Sequence, residues 1–180
     1  KIYPKRSFDN TKEFEEHLGE EKEVIFDGTE NDIERPQDTD RQQDVYSGKK
    51  KRHTDAAMIL SNKKRFIYYV SYLYVGKEND MGILQSEFEP GGKWFKNLRV
   101  IFDLGFVGVE KCYEFKELVI GYKKPRKSKS NPNPQLSQEQ KEKNTAVSKE
   151  RIYVEHAIGG MKRYRILTAK ARTKSYKLKN

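Results

Sequence analysis

Three carboxylates stand out by the company they keep. Asp27 closes the apolar run Val24-Ile25-Phe26 and Asp103 closes Val100-Ile101-Phe102, so the tetrad Val-Ile-Phe-Asp occurs twice. The third, Glu155, falls in the long polar stretch that follows Ser137. A carboxylate at the end of an apolar strand is costly to desolvate unless it meets a cation or hydrogen-bond donors. Three convergent acids in a basic protein fit a cage for a divalent metal ion, which takes hard oxygen ligands. Spacing alone favours the plainer reading, in which solvent-exposed strand ends simply carry acids; the apolar strands and the basic context favour the cage.

Positioning falls to two strands and a helix. The β-branched and aromatic runs 24–28 and 99–105 read as central strands covered on both faces. Residues 53–60 and 66–75 read as two further strands, joined by Ser61-Asn62-Lys63-Lys64 with hairpin chemistry, and another strand is expected at 118–121. Short helices are expected at 11–18, at 80–88 after a cap at Asn79 or Asp80, and at 110–116. Residues 30–45 are too polar for a core and read as a long connection. The best helix runs over 137–159, where Ser137 and Gln140 form a capping-box pattern. At about 100° per residue, Val147, Val154, Ile158 and Met161 share one narrow sector, and Arg151, Lys162 and Glu155 form a polar seam beside it. The weak point is Gly159-Gly160, since each interior glycine costs about 1 kcal/mol and a break there would carry Lys162 away from Glu155. Together these elements describe an α/β fold, a mixed central sheet flanked by helices.

The 180 residues suit one domain; 34% are hydrophobic, 36% are charged, the net charge is +10 and the mean hydropathy is -1.00. That hydropathy leans toward disorder, but 12% aromatic residues can build a compact interior. Charge is segregated: residues 1–45 carry a net -7 and residues 46–180 a net +17. Such a surplus favours a polyanion such as nucleic acid through phosphate neutralisation, with a merely soluble basic surface as the alternative. Two clusters are dense. Lys49, Lys50, Lys51 and Arg52 precede His53, and Lys123, Lys124, Arg126, Lys127 and Lys129 lie in a Pro-rich, acid-free loop at 121–136. That loop reads either as a solvated insert or as a flap that tracks DNA.

Residues 1–23 read as the end of a linker from a region upstream, because the chain opens on Lys1 in an acidic stretch. Residues 174–180 read as a basic tail. The longest apolar stretch, 66–75, is too short for a membrane helix of about 20 residues. The single cysteine, Cys112, leaves no disulfide, and no signal-peptide pattern is present, so an intracellular protein is expected. His17, His53 and His156 lack zinc-ligand spacing, and neither Gly-Gly pair sits in a phosphate-binding loop. The aromatic residues of 66–74 read as alternating sides of a core strand rather than a base-stacking platform.

The local texts VIFDGTENDIERPQD (24–38), QQDVYSGKKKRHT (42–54), GKENDM (76–81), VIFDLGFVG (100–108) and NTAVSKERIYVEHAIGGMKRYRIL (144–167) occur in one order. In that order the chain resembles the DDE transposases of the insertion-sequence-five group, related to Harbinger elements, over roughly residues 22–173. Arg151, Glu155 and Lys162 match the family's Arg-x3-Glu-x6-Lys text, so Asp27 and Asp103 match the first two acids.

The resemblance implies a ribonuclease H-like catalytic domain over 24–173. It also implies catalysis and metal binding by Asp27, Asp103 and Glu155, with two Mg²⁺ per site, Mn²⁺ able to substitute, and Asp27 bridging the ions. It implies DNA cleavage and strand transfer during transposition, the alternative being a catalytically silent DNA-binding regulator. DNA contacts are expected from Lys49, Lys50, Lys51, Arg52, Lys123, Lys124, Arg126, Lys127, Arg151, Lys162, Arg163 and Arg165, with Asp80 and His53 in support. The partners implied are transposon ends, target DNA and further copies of the chain in a nucleoid-associated, cytoplasmic complex. The sequence departs from the family pattern at Asn79, where a histidine is usual, and at Phe106, where a tyrosine is usual.

Overall fold

The computed structural model of the protein describes residues 3–129 and 131–172; the expected basic tail at 174–180 lies outside them. Strand β1 (Glu23–Asp32) runs through the middle of the sheet. On one side it pairs antiparallel with β3 (Arg52–Ser61), and on the other it pairs parallel with β6 (Arg99–Ile101), which in turn pairs parallel with β7 (Glu117–Val119). The outer edge of β3 is covered piecewise by β2 (Tyr46–Ser47), β5 (Tyr74–Val75) and β4 (Ile67–Val70), all antiparallel. The sheet is therefore mixed, as the sequence leads one to expect.

Alternation along β1 divides the interior in two. Val24 and Phe26 point into an aromatic core with Phe14 and Leu18 of α1 (Thr11–Leu18), Ile83 and Leu84 of α3 (Asp80–Glu87), and Phe88, Phe95 and Phe102. Ile25 points the other way, into a smaller core with Ile59, Ile101 and Val119. That second face is closed by Val147 and Val154 of α4 (Gln138–Met161), with Ile158 and Met161 packed alongside. The apolar stripe expected of the long helix is thus the stripe that docks. Because side chains alternate at period two, Asp27 shares the α4 face with Ile25.

Several expected elements differ in extent. The segment 66–75 is not one strand: Ser71 interrupts it between β4 and β5, and its hydroxyl accepts from the Met58 N–H at 2.9 Å. The segment 30–45 is not all connection, since β1 runs on to Asp32 and a short helix α2 (Thr39–Asp44) starts at a side-chain cap from Asp38. The helix expected at 110–116 is only a 3-10 turn, Val109–Lys111. Strand β6 stops at Ile101, so Asp103 stands just past the strand, at the residue before a 3-10 turn (Leu104–Phe106). The linker-like opening contributes α1, whose Phe14 is wholly buried, and Lys5 bridges to Tyr69 of β4. Helix α4 begins at the predicted Ser137–Gln140 capping box and passes through Gly159-Gly160 without a break.

Candidate active site

Parallel register explains how two strands bring their acids together. Glu23 faces Arg99, Val24 faces Val100 and Ile25 faces Ile101, so Asp27 and Asp103 each follow the paired Ile25 and Ile101 by two residues. Both emerge at the same end of the sheet. Helix α4 packs across this face and adds Arg151 and Glu155 from successive turns.

Arg151 is the hub. Its Nη2 donates to Asp27 Oδ1 at 3.2 Å, its Nη1 lies 2.9 Å from Asp103 Oδ1, and Nη2 stands 4.0 Å from Glu155 Oε1. The Arg151 and Asp27 side chains are only 15% and 14% exposed, whereas Glu155 is 56% exposed. Among the described residues, the buried arginine Nε has no hydrogen-bond partner. Burial pushes the Asp27 carboxyl up to about 6; Arg151 opposes the rise, while Asp103 and Asp80 add to it. Among the described residues, no three acidic, histidine or cysteine side chains are arranged to hold a metal ion. The carboxylate oxygens are the donor type that hard divalent cations take, and in this conformation a guanidinium, itself a cation, bridges two of the acids.

Asp80 enters from the opposite face of the sheet, at the start of α3, where Asn79 is the cap and accepts from the Gly82 N–H at 2.8 Å. Its carboxylate lies in a slot that exists because two residues lack side chains. A Cβ on Gly28 would stand 2.3 Å from Asp80 Oδ1, and one on Gly105 2.7 Å from Oδ2. Burial raises the Asp80 pKa; Lys49 opposes this, and Asp103 reinforces it.

Beside the acids is a cavity of about 230 Å³, lined by Asp27, Asp80 and Glu155 together with Lys49, Lys50 and Lys162. Lys162, at the end of α4, is fixed by donating to the Glu30 carbonyl at 2.8 Å, and burial, helped by nearby Lys50, lowers its pKa. The unbroken helix thus keeps Lys162 and Glu155 on one cavity, the outcome that a break at the glycines would have prevented.

The other predicted cations lie elsewhere. Lys51 occupies a left-handed turn position (φ 58°), and Arg52 pairs with Asp32 at 2.7 Å. Lys123, Lys124, Arg126 and Lys127 lie along the exposed loop, outside the cavity lining, and Arg163 and Arg165 are exposed beyond α4. His53 packs edge-on against Tyr46, ring centroids 5.6 Å apart, and is not on the cavity wall. Phe106 is fully buried in the aromatic core.

Sequence reasoning missed two features. Thr29, which lines the cavity, is buried and its hydroxyl has no partner among the described residues; its place two residues after Asp27 on the same strand face was a usable signal. The second is a clamp at the opposite end of β1 and β6, where Arg99 meets Glu23, Glu117 and Glu150, and Lys63 meets Glu23 and Glu150 at 2.8 Å each. Nothing local in the sequence announces it, because its members come from separate elements.

The family model described as DDE superfamily endonuclease matches residues 26–180. The chain belongs to this family. A probable transposase for insertion sequence element IS702, from Microchaete diplosiphon, is 31% identical over 170 residues, which is 94% of this chain and 57% of the relative. The chain therefore spans a little over half the length of that relative. No solved structure matches the chain. All five segments that carried the sequence resemblance fall wholly or almost wholly within the matched span of the DDE endonuclease model, and so do Asp27, Asp103 and Glu155.

Proposed function

We propose that this chain is the catalytic domain of an insertion-sequence transposase, cutting and joining DNA phosphodiesters at Asp27, Asp103 and Glu155. The observation that carries the reading is the meeting of acids from two parallel strands and a covering helix at one arginine, beside a cavity that lysines also line. A ribonuclease H-like fold belongs to the same reading, supported by the parallel β1–β6–β7 set, the antiparallel β3 and the helix across one face.

Asp27, Asp103 and Glu155 would hold Mg²⁺, two ions per site in this reading, with Mn²⁺ able to substitute. Bound there, a divalent cation supplies Lewis-acid stabilisation of the charge that develops on the phosphoryl oxygens. The chain's own cations do the positioning. Lys49, Lys50 and Lys162 line the cavity and attract the DNA backbone, and the hydrogen bond to Glu30 fixes where the Lys162 ammonium stands. The exposed loop lysines extend this field without touching the acids, so they contribute affinity rather than chemistry. Asp80 is a supporting carboxylate behind Asp27 and Asp103. Transposon ends and target DNA are the proposed substrates, with further copies of the chain in the DNA complex.

The test is Mn²⁺-dependent nicking of supercoiled plasmid at low salt, wild type beside Asp103→Asn. Nicking confined to the wild type is expected. Equal nicking by both would overturn the site assignment, and DNA binding with no nicking by either would favour the silent, DNA-binding alternative.

A further inference from the structure

Arg151 is in an unusual position for a residue expected to meet a phosphate. It faces inward, contacts Asp27 and Asp103 at 3.2 and 2.9 Å, and approaches Glu155 to 4.0 Å. Those oxygens are the ones the proposed function requires for a cation. A guanidinium and a metal ion compete for the same carboxylate lone pairs.

The backbone beneath this side chain is fastened. Glu150, the preceding residue, takes two hydrogen bonds from Arg99 at 2.8 and 2.9 Å and an ion pair from Lys63 at 2.8 Å. Val154, one turn further on, is wholly buried against the sheet. Any release of the acids is therefore a rotation of the Arg151 side chain and not a shift of α4. The contact is also incomplete, since the buried guanidinium Nε has no partner among the described residues. A buried donor left unsatisfied lowers the cost of leaving.

We infer that Arg151 is a tethered counter-cation: it keeps Asp27 and Asp103 together while no divalent cation is bound, and it must leave both carboxylates before such a cation can take their oxygens. This rests on the metal-dependent reading above. Without any cation, two partly buried carboxylates at one sheet end repel each other, and the arginine offsets that repulsion. A planar guanidinium can serve two carboxylates at once, which a lysine ammonium does less well. Because the arginine must first swing away, the apparent cation affinity falls below the intrinsic one by the fraction of molecules already open. Arg151 is thus a positioning residue that sets the cation concentration at which the site loads.

The experiment is calorimetric titration of Mn²⁺ into the full chain, comparing wild type, Arg151→Gln and Asp103→Asn, with thermal melting of each in the absence of cation. Arg151→Gln is expected to bind Mn²⁺ about tenfold more tightly, the scale of losing one charge-assisted competitor, while melting at a lower temperature without cation. Binding by the wild type with equal or weaker binding by Arg151→Gln would overturn the inference. Failure of all three proteins to bind Mn²⁺ would remove the metal-dependent reading and the inference with it, which separates the two failures. Should Arg151→Gln not fold, arginine side-chain NMR of the wild type decides. The Arg151 guanidinium signal is expected to move on saturation with Mg²⁺, and an unmoved signal in the saturated protein overturns the inference.

Discussion

Arg99 and Glu150 are joined by two hydrogen bonds, 2.8 and 2.9 Å, that fasten the covering helix to a strand of the sheet. The same arginine meets Glu23, its register partner on β1, and Glu117, its register partner on β7. One side chain thereby ties three adjacent strands to α4, four residues ahead of Asp103. Removing it strands Glu23 and Glu150 with Lys63 as their shared cation. We expect Arg99→Ala to cost about 1–3 kcal/mol in chemical denaturation, the range for breaking a partly buried charged network. Lys12→Ala, which loses only an exposed 3.8 Å pair with Glu16, is the comparison. Equal losses for the two would show that the clamp is screened by solvent.

Acid titration reports on the same clamp. The Glu150 carboxyl is lowered to about 2, chiefly by the hydrogen bonds from Arg99. A carboxyl depressed by folding contributes stability above its unfolded value, and that stability is lost as pH falls through the folded value. For Glu150 the window lies between about 4.5 and about 2. Wild type is therefore expected to lose melting temperature across that window by a margin that shrinks in Glu150→Gln. Identical acid profiles would refute the clamp's role.

Asp27 carries the opposite sign. Its carboxyl is raised to about 6 by burial, so the folded chain holds a proton there that the unfolded chain has released. Stability from this residue is present at low pH and is lost as pH rises from about 4 through about 6. Asp27→Asn, which is never charged, is expected to melt higher than wild type at pH 7.5, by on the order of 1–3 kcal/mol, with the advantage gone below about pH 4. A melting difference that does not change between those conditions would contradict the raised value.

Gly28 of β1 and Asp80 at the start of α3 are in close contact. A methyl on Gly28 would meet the Asp80 carboxylate at 2.3 Å, and Gly105 closes the other side of the slot. Gly28→Ala is expected to destabilise by about 1–3 kcal/mol through overpacking. In Gly28→Ala/Asp80→Ala the clash is absent, so the double variant should be more stable than the sum of the single changes, with a coupling above about 0.5 kcal/mol. Additive losses would mean that Asp80 turns away freely.

The glycines of α4 behave differently. Among the described residues, and apart from the helix's own backbone, nothing lies within 4 Å of a Cβ placed on Gly159 or Gly160, and both sit inside the helix. Gly159→Ala is expected to raise stability by about 0.5–1 kcal/mol, whereas Ser137→Ala should lower it by about 0.5–2 kcal/mol by removing the cap bond to the Gln140 N–H at 3.2 Å. Melting curves of the two single variants check both signs.

What the sequence determined by itself is what rests on local pattern. The β-branched and aromatic runs at 24–28 and 99–105 placed β1 and β6, the stripe from Val147 to Met161 chose the docking face of α4, and the Ser137–Gln140 box marked its start. The likeness of the short texts around Asp27, Asp103 and Glu155 to a known family was legible too, because such texts are contiguous. What only the tertiary structure decided involves residues distant in the chain. The parallel register that sets Asp27 level with Asp103, the slot between Gly28 and Gly105, and the Arg99–Glu150 clamp all depend on how separate elements pack. The inward turn of Arg151 is the clearest case. On the helix wheel it is one more polar residue beside the buried stripe, and the carboxylates it neutralises come from 48 and 124 positions away in the sequence, reached only through the sheet.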